Sequence, residues 1–279
     1  MSKHLLNIAI GPVQGFIAAA RRTRDLWFGS YMLSEISKAA ALSLQNAGCN
    51  LIFPSPLNRE DLLPDSELNV SNKILVEVPE NIDPKNVSNE AQNAAIKCWK
   101  DFVDDAHKQV KNAIDENIWQ EQIDDVIEFY SAWVPLQQDY FSARKQVESV
   151  LAGRKALRDF LPAKGKAGVP KSSLDGARES VITDIKNISK DTRLKARLKD
   201  NEHLDSVGMV KRLAGKPEEQ FVSVTRIALD NWIRFMSNDK YFKSQLAEIE
   251  KLCNSDFASK IKDERFGDFS RDSEILLQS

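Results

Sequence analysis

Cysteine and histidine are scarce in this chain of 279 residues, which contains three of each. Cys49, Cys98 and Cys253 lie far apart and none belongs to a CxxC pair, so the sequence supports neither a disulfide framework nor a cysteine zinc site. None of the histidines is followed by aspartate, as a histidine-aspartate metal nuclease would require. A Ser/His/Asp or Cys/His catalytic site has no support either.

Long apolar runs are also absent. The N-terminus has no apolar signal region and no stretch approaches the length of a membrane span, so we expect a cytoplasmic protein without membrane contact. The net charge is only −2, and any binding of nucleic acid must therefore come from local basic patches. The length is sufficient for two domains.

The most informative segment is residues 8–34, IAIGPVQGFIAAARRTRDLWFGSYMLS. A short apolar run passes through Gly11 and Pro12 into a long helical pattern, which predicts a strand-to-helix junction because proline suits the first position of a helix. The N-terminus of a helix can hold an anion, and Gly15 would let a ligand approach closely. A plain structural turn fits the same spacing, and both interpretations remain open.

Arg24 lies in the middle of the apolar face of this helix. Its stem can lie along the core with the charged group in water, or the guanidinium can meet a carboxylate. A third interpretation is a contact with a phosphate, which Arg21 and Arg22 on the same two turns favour.

Four short apolar runs predict strands. They cover residues 5–10, 50–53, 73–78 and 126–134. One helix is predicted over 12–47 and another from an N-cap at Ser88 to about Val110. The order strand, helix, strand, strand, helix, strand is typical of the ferredoxin-like fold, in which both helices cover one face of the sheet. The other face is left for a partner, a nucleic acid or another domain, and the fold alone does not choose among these.

After residue 138 the pattern becomes helical, with helices predicted over 201–213, 222–236 and 239–252. We therefore predict an α+β chain with a ferredoxin-like (βαββαβ) palm over 1–137 and an all-helical domain over 138–279.

A basic loop near 162–172 is the best linker candidate. It cannot be a phosphate-binding P-loop, because Pro170 removes an N–H group that the phosphate needs. It is either a solvated linker or a contact for RNA. Lys211 and Arg212 lie in a predicted helix, where such cations usually form a solvated edge but can also follow a nucleic-acid backbone.

Taken in order, several segments resemble the large subunit of type III-B CRISPR effector complexes, the polymerase-cyclase-like subunit of the Cmr complex. The first is IGPVQGFIAAARRTRDLWFGSYMLSEI, residues 10–36. The others are residues 51–54, 72–79, 171–181, 204–213, 221–235 and 266–276. The resemblance spans nearly the whole chain.

In that family two ferredoxin-like palms face each other and bind ATP between them, and target RNA switches on the synthesis of cyclic oligoadenylates. The resemblance implies that this chain is the first palm with the helical domain that follows it. The second palm carries a GGDD metal motif, but this chain has no Gly-Gly dipeptide, and the histidine-aspartate nuclease domain is also missing. We therefore expect half of an ATP-dependent nucleotidyltransferase site, inactive alone, whose divalent metal is held by the missing palm.

The resemblance implies that Gly11, Pro12, Gln14, Arg24 and Ser30 contribute to the ATP pocket. Many relatives have a CxxC zinc knuckle at a position where this chain has serine and aspartate. Those residues are Ser172 and Asp175, so we expect no zinc.

Contacts with RNA or with other subunits are expected at five basic residues, Lys164, Lys166, Lys171, Lys211 and Arg212. The expected partners are the second palm of the same subunit, the other Cmr subunits, and the CRISPR guide and target RNAs. The alternative is a non-catalytic assembly or RNA-binding module, in which Arg24 pairs internally with a carboxylate.

Overall fold

The computed structural model of the protein divides into two compact units, residues 1–215 and 216–279. The structure describes residues 3–21, 23–124, 126–136, 139–157, 165–196, 198–214, 232, 235–236, 239–242 and 244. The first unit contains all the elements described below. The predicted domain boundary at residue 137 stays a prediction.

A four-stranded antiparallel sheet lies at the centre of the first unit. Its strands are β1 His4–Gly11, β2 Asn50–Phe53, β3 Lys73–Val78 and β4 Glu128–Pro135. They lie in the order β2-β3-β1-β4, so the first strand of the sequence is internal and β2 and β4 form the edges. The four predicted strands are confirmed, and their observed ends differ from the predicted ones by at most two residues.

Helices surround this sheet, which makes the fold a mixed α/β one. They are α1 Gln14–Ala18, α2 Thr23–Asn46, α3 Pro84–Val110, α4 Glu116–Ile123, α5 Tyr140–Ala156, α6 Lys190–Ala196 and α7 Ser206–Leu213. Two short 3₁₀ helices cover Arg59–Leu62 and Ile185–Asn187. Among the described helices, none combines the length and apolar character that crossing a membrane requires.

Helices α2 and α3 pack together on one face of the sheet. Leu6, Ile8 and Ile10 of β1 point to this side, where they meet Met32 and Ile36 of α2 in the main core. Burial of each such side chain contributes about 1.5–3 kcal/mol. The alternation along β1 therefore fixes which face of the strand carries the two long helices.

The start of α3 differs from the prediction. The helix begins at Pro84 and is capped by Asp83, whose carboxylate accepts a hydrogen bond from the Lys85 N–H at 3.0 Å. Aspartate at the cap followed by proline is a stronger start signal than a serine one turn later. Ser88 is not the cap; its hydroxyl donates to Ser131 Oγ at 2.8 Å.

The opposite face of the sheet is covered in part by α5. Leu5 and Ala9 of β1 pack there against Val147 and Leu151 of α5 in a second, smaller core. The apolar stripe of α5 buries the β1–β4 half of this face, so the covering element comes from the segment predicted as the helical domain.

The single helix predicted over 12–47 is also wrong, since the chain leaves the helical path between α1 and α2. The carbonyl oxygens of Phe16 and Ala19, at the end of α1, accept hydrogen bonds from Lys211 Nζ at 2.5 and 2.6 Å. Carbonyls at the end of a helix have no partner within it, and here a distant lysine supplies one.

The chain after β4 is helical only in parts. The described residues there contain no further strand of a sheet, but two isolated bridges pair Ile114 with Ile182 and Lys171 with Glu179. The helix predicted over 201–213 is shorter than expected and begins at Ser206, after the Asp205 cap. The helices predicted over 222–236 and 239–252 lie mostly outside the described residues.

Candidate functional site

A cleft opens where β1 ends and α1 begins, and its volume is about 410 Å³. We call it the β1–α1 cleft. Its lining residues are Ala9, Ile10, Gly11, Pro12, Val13, Gln14, Gly15, Asn72, Glu128, Tyr130 and Lys155.

The register between β1 and β4 brings Glu128 and Tyr130 to this cleft. Gly11 pairs with Glu128 and Ala9 with Tyr130. A Cβ atom on Gly11 would lie only 3.1 Å from Glu128 Oε2, which is closer than most Cβ contacts. Glycine at position 11 therefore leaves room for a carboxylate beside the end of β1.

Asn72, which lies just before β3, forms a second wall of the cleft. Its carbonyl oxygen accepts from the Ile10 N–H at 2.8 Å, and its side-chain Nδ2 donates to the Ile10 carbonyl at 3.1 Å. This pair of hydrogen bonds fixes residue 72 against the end of β1.

The C-terminal end of α5 forms the third wall. Lys155 lines the cleft, and the guanidinium of the neighbouring Arg154 lies 5.8 Å from the centre of the Tyr130 ring. The lining offers one ammonium group, one carboxylate, two carboxamides and one phenol hydroxyl. Such a set suits a ligand that carries a negative charge as well as hydrogen-bond donors and acceptors.

Three of the five predicted ATP contacts come together here, because Gly11, Pro12 and Gln14 all line the β1–α1 cleft. Arg24 and Ser30 lie on α2 and are not among its lining residues. Arg24 is half-buried, with its guanidinium 5.8 Å from the centre of the Phe28 ring, and Ser30 is exposed.

Sequence reasoning missed four polar residues of the cleft, Asn72, Glu128, Tyr130 and Lys155. Glu128 and Tyr130 lie in a strand that was predicted, and the pairing of that strand with β1 would have identified them. No signal in the sequence relates Lys155 to Gly11, because their proximity depends on how α5 packs.

The predicted basic contacts fall into two groups. Lys166 and Lys171 are exposed and form ion pairs, Lys166 with Asp115 at 2.9 Å and Lys171 with Glu179 at 2.6 Å. The hydrogen bond from each lysine lowers the pKa of its carboxylate partner. Lys164 lies outside the described residues.

Lys211 and Arg212 correct the prediction, because their relative exposures are 0% and 2%. Arg212 Nε and Nη2 donate to the two oxygens of Asp25 at 2.6 and 3.0 Å, and Nη2 also donates to Glu202 at 3.0 Å. Burial lowers the pKa of Lys211 to about 8, although the carboxylates of Asp25 and Asp205 oppose this shift. The prediction that these two side chains contact RNA at the surface is wrong, because α7 directs both cations into the interior.

Metal ligands are not clustered in the part of the chain that the structure describes, where no group of three or more His, Cys, Asp or Glu residues is suited to a metal ion. The Ala177 N–H donates to Asp175 Oδ1 at 2.9 Å and the Leu174 N–H to Ser172 Oγ at 3.4 Å, so both side chains serve a turn. The expected absence of zinc stays a prediction.

Comparison with solved structures shows a similar fold in a chain of the structure described as "Cryo-EM structure of the Type III-B Cmr-beta bound to cognate target RNA". The TM-score is 0.53 and the sequence identity 16%, and the match covers 91% of this chain and 38% of that chain. This chain thus spans well under half the length of its structural relative. No curated protein matches.

Residues 5–104 match the family described as CRISPR-associated protein Cmr2, N-terminal. The matched segment begins in β1 and ends within α3, so it contains β1, β2 and β3 with the helices between them. The two findings support a Cmr2 large-subunit N-terminal region in this part of the chain, and the predicted resemblance to the large subunit of the type III-B Cmr complex is confirmed.

Proposed function

We propose that this chain is the ATP-binding first half of the large subunit of a type III-B CRISPR effector complex. The observation that carries the proposal is the β1–α1 cleft, where Gly11, Pro12 and Gln14 come together. In this proposal the cleft binds ATP jointly with a second palm, which supplies the divalent metal for cyclic oligoadenylate synthesis.

The strand order supports a ferredoxin-like palm as the scaffold. The sheet order β2-β3-β1-β4, antiparallel throughout, is the one that a split βαβ arrangement produces, and α2 and α3 are its two crossover helices. Helices α1 and α4 are additions to that plan. In this proposal the start of α1 is the part of the palm that meets the ligand.

The charge of the cleft supports a half-site better than a complete one. Lys155 is its one cationic side chain and Glu128 its one carboxylate, so the lining has no net charge. A triphosphate carries several negative charges and needs further cations nearby. In the proposed complex these come from the metal and the side chains of the second palm.

Each polar residue of the cleft then has a role that matches its chemistry. Lys155 is suited to a phosphate oxygen, whereas the carboxylate of Glu128 is suited to N–H or O–H groups of the base or ribose. Gln14 and Asn72 offer amide groups that can donate or accept. A volume of about 410 Å³ lies within the range of ligand sites in proteins.

The proposed partners are the second palm, other Cmr subunits, and the guide and target RNAs. The solved relative is described as bound to cognate target RNA, which supports this assignment. Among the predicted RNA contacts, the exposed Lys166 and Lys171 are the candidates that remain on the described surface. Both must exchange a carboxylate partner for phosphate.

A second candidate function is a non-catalytic assembly or RNA-binding module. It is favoured by the positions of Arg24 and Ser30, which do not line the β1–α1 cleft. In that case ATP is not a ligand of this chain.

Isothermal titration of ATP into the full chain, with and without the second palm, separates the two functions. We expect binding only when both palms are present, and Lys155→Ala should weaken it about tenfold through loss of one charge-assisted hydrogen bond. Lys145→Ala, on an exposed part of the same helix, is the matched control and should bind as the unaltered chain does. Equal binding by both variants would contradict the role of Lys155, and no binding at all would favour the module.

A further inference from the structure

A long groove on the outer side of α2 and α3 has no role in the proposed function. Its volume is about 650 Å³. We call it the α2/α3 groove, and its apolar lining includes Ala39, Leu42, Ala47, Ala94, Cys98 and Phe102.

The groove follows the helices over several turns. On α2 its lining residues recur every three to four positions from Tyr31 to Asn46, and on α3 they do so from Glu90 to Asp105. Fifteen helical steps correspond to about 22 Å at 1.5 Å per residue. The groove is therefore long enough to seat more than four turns of another helix.

One wall of the groove is a loop that is fastened to α2. Lys38 and Glu35 form an ion pair of 2.7 Å with side-chain exposures of 3% and 5%. Lys38 Nζ also donates to the Ser66 carbonyl at 2.8 Å, and Glu35 Oε2 accepts from the Asp65 N–H at 3.0 Å. Both members of a buried pair are thus satisfied by the loop, so the wall is formed before any partner arrives.

The rim of the groove is acidic. Five carboxylates and two ammonium groups line it, a net charge of −3, and the buried Glu35–Lys38 pair contributes nothing to that sum. Lys97, the other cation of the lining, pairs with the rim residue Asp101 at 3.2 Å, and Lys108, just outside the lining, pairs with Asp105 at 3.0 Å. This charge repels nucleic acid and is complementary to lysine and arginine.

We propose that the α2/α3 groove docks an amphipathic helix of a partner protein, with an apolar stripe that meets the groove floor and lysine or arginine residues on both sides of that stripe. Recognition of this kind uses apolar side chains at every third or fourth position for affinity, while the flanking charges set the orientation and specificity. The docking surface shares no lining residue with the β1–α1 cleft, so the proposal does not depend on ATP binding.

The probe is a synthetic helical peptide of 16 residues with a Leu/Ala stripe and lysine flanks, labelled with fluorescein. A second peptide keeps the same stripe but carries glutamate flanks. Fluorescence anisotropy with the full chain should show binding of the lysine peptide at least tenfold tighter than that of the glutamate peptide, with the difference shrinking as salt rises.

Two pairs of variants locate the binding. Ala94→Trp fills the floor of the groove and should weaken binding of the lysine peptide at least tenfold. Asn93→Trp changes the preceding residue, which is exposed and outside the lining, and should not weaken it. Asp101→Lys with Asp105→Lys should reverse the preference between the two peptides, and Asp104→Lys, outside the groove, should leave it unchanged.

Three outcomes overturn the proposal. They are failure of the lysine peptide to bind at millimolar concentration, equal binding of both peptides, and binding that Ala94→Trp does not affect. Analytical ultracentrifugation tests another occupant, since self-association that Ala94→Trp abolishes would mean that a second copy of the chain fills the groove instead.

Discussion

Two groups of cations in this protein form ion pairs in contrasting surroundings. Arg212 is buried and binds Asp25 through two parallel hydrogen bonds, with Glu202 as a further partner. Lys166 and Lys171 form short ion pairs as well, but more than half of each side chain is exposed. A short distance alone therefore does not measure the contribution of an ion pair to stability, because water competes for the charges at the surface and is excluded in the interior.

The largest effect is expected from Asp25→Ala. It leaves the buried Arg212 with Glu202 as its remaining carboxylate partner, and removal of one member of such a pair costs about 3–5 kcal/mol. Urea denaturation should therefore show a correspondingly lower free energy of unfolding. Asp104→Ala, an exposed aspartate of α3, is the control and should cost well under 1 kcal/mol. Similar losses for the two variants would show that burial does not set the strength of the Asp25–Arg212 pair.

An intermediate effect, dependent on pH, is expected for Lys211. Its pKa is about 8 in the folded protein but 10.5 in an ordinary lysine, so between these values the unfolded chain holds a proton that the folded chain lacks. Stability rises with pH wherever the unfolded state binds more protons. The unfolding free energy of the unaltered protein, relative to Lys211→Met, should thus rise by about 3 kcal/mol from pH 8 to 10.5.

Urea denaturation of both proteins at several pH values between 7 and 10.5 measures this difference. The charged groups that act on Lys211 are Asp25, Asp175, Asp205 and Arg212, and all four are retained in the variant. If the difference in unfolding free energy between the two proteins stays constant over this pH range, Lys211 keeps its proton in the folded state. The hydrogen bonds to its two carbonyl partners would then offset the effect of burial on its pKa.

The smallest effect is expected at the surface. Lys166→Ala and Lys171→Ala each remove one exposed ion pair, and such pairs contribute about 0–1 kcal/mol. The same denaturation assay, repeated at high salt, should show that even this difference diminishes. A loss above about 2 kcal/mol for either variant would contradict the contrast with the interior pair.

Local signals were sufficient for the strands. The runs at 50–53 and 73–78 were predicted with their observed ends because Pro54 and Pro79 follow them directly. The helix break before Thr23 could not be predicted, since Ala19 and Ala20 favour a helix. The break is stabilised by hydrogen bonds from Lys211, which is more than 190 residues away in sequence.

The residues of the candidate site also divide into those that local sequence signals predict and those that only tertiary contacts bring together. Gly11, Pro12 and Gln14 lie within four consecutive residues. The turn pattern marked Gly11 and Pro12, and the family resemblance added Gln14. Glu128 joins them through the pairing of β4 with β1, and Lys155 through the packing of α5 on the sheet. Such long-range contacts are set by the tertiary structure, which local patterns do not encode.

The central position of β1 has a consequence for synthesis of the protein. This strand leaves the ribosome before the other three, yet it pairs with β3 on one side and with β4 on the other, and β4 begins only at residue 128. Until then one edge of an apolar strand has no partner, which makes nascent or truncated chains prone to associate with one another. Expression of fragments that end before residue 128 should consequently yield aggregates, because the fourth strand is added to the sheet only after most of the first unit has been made.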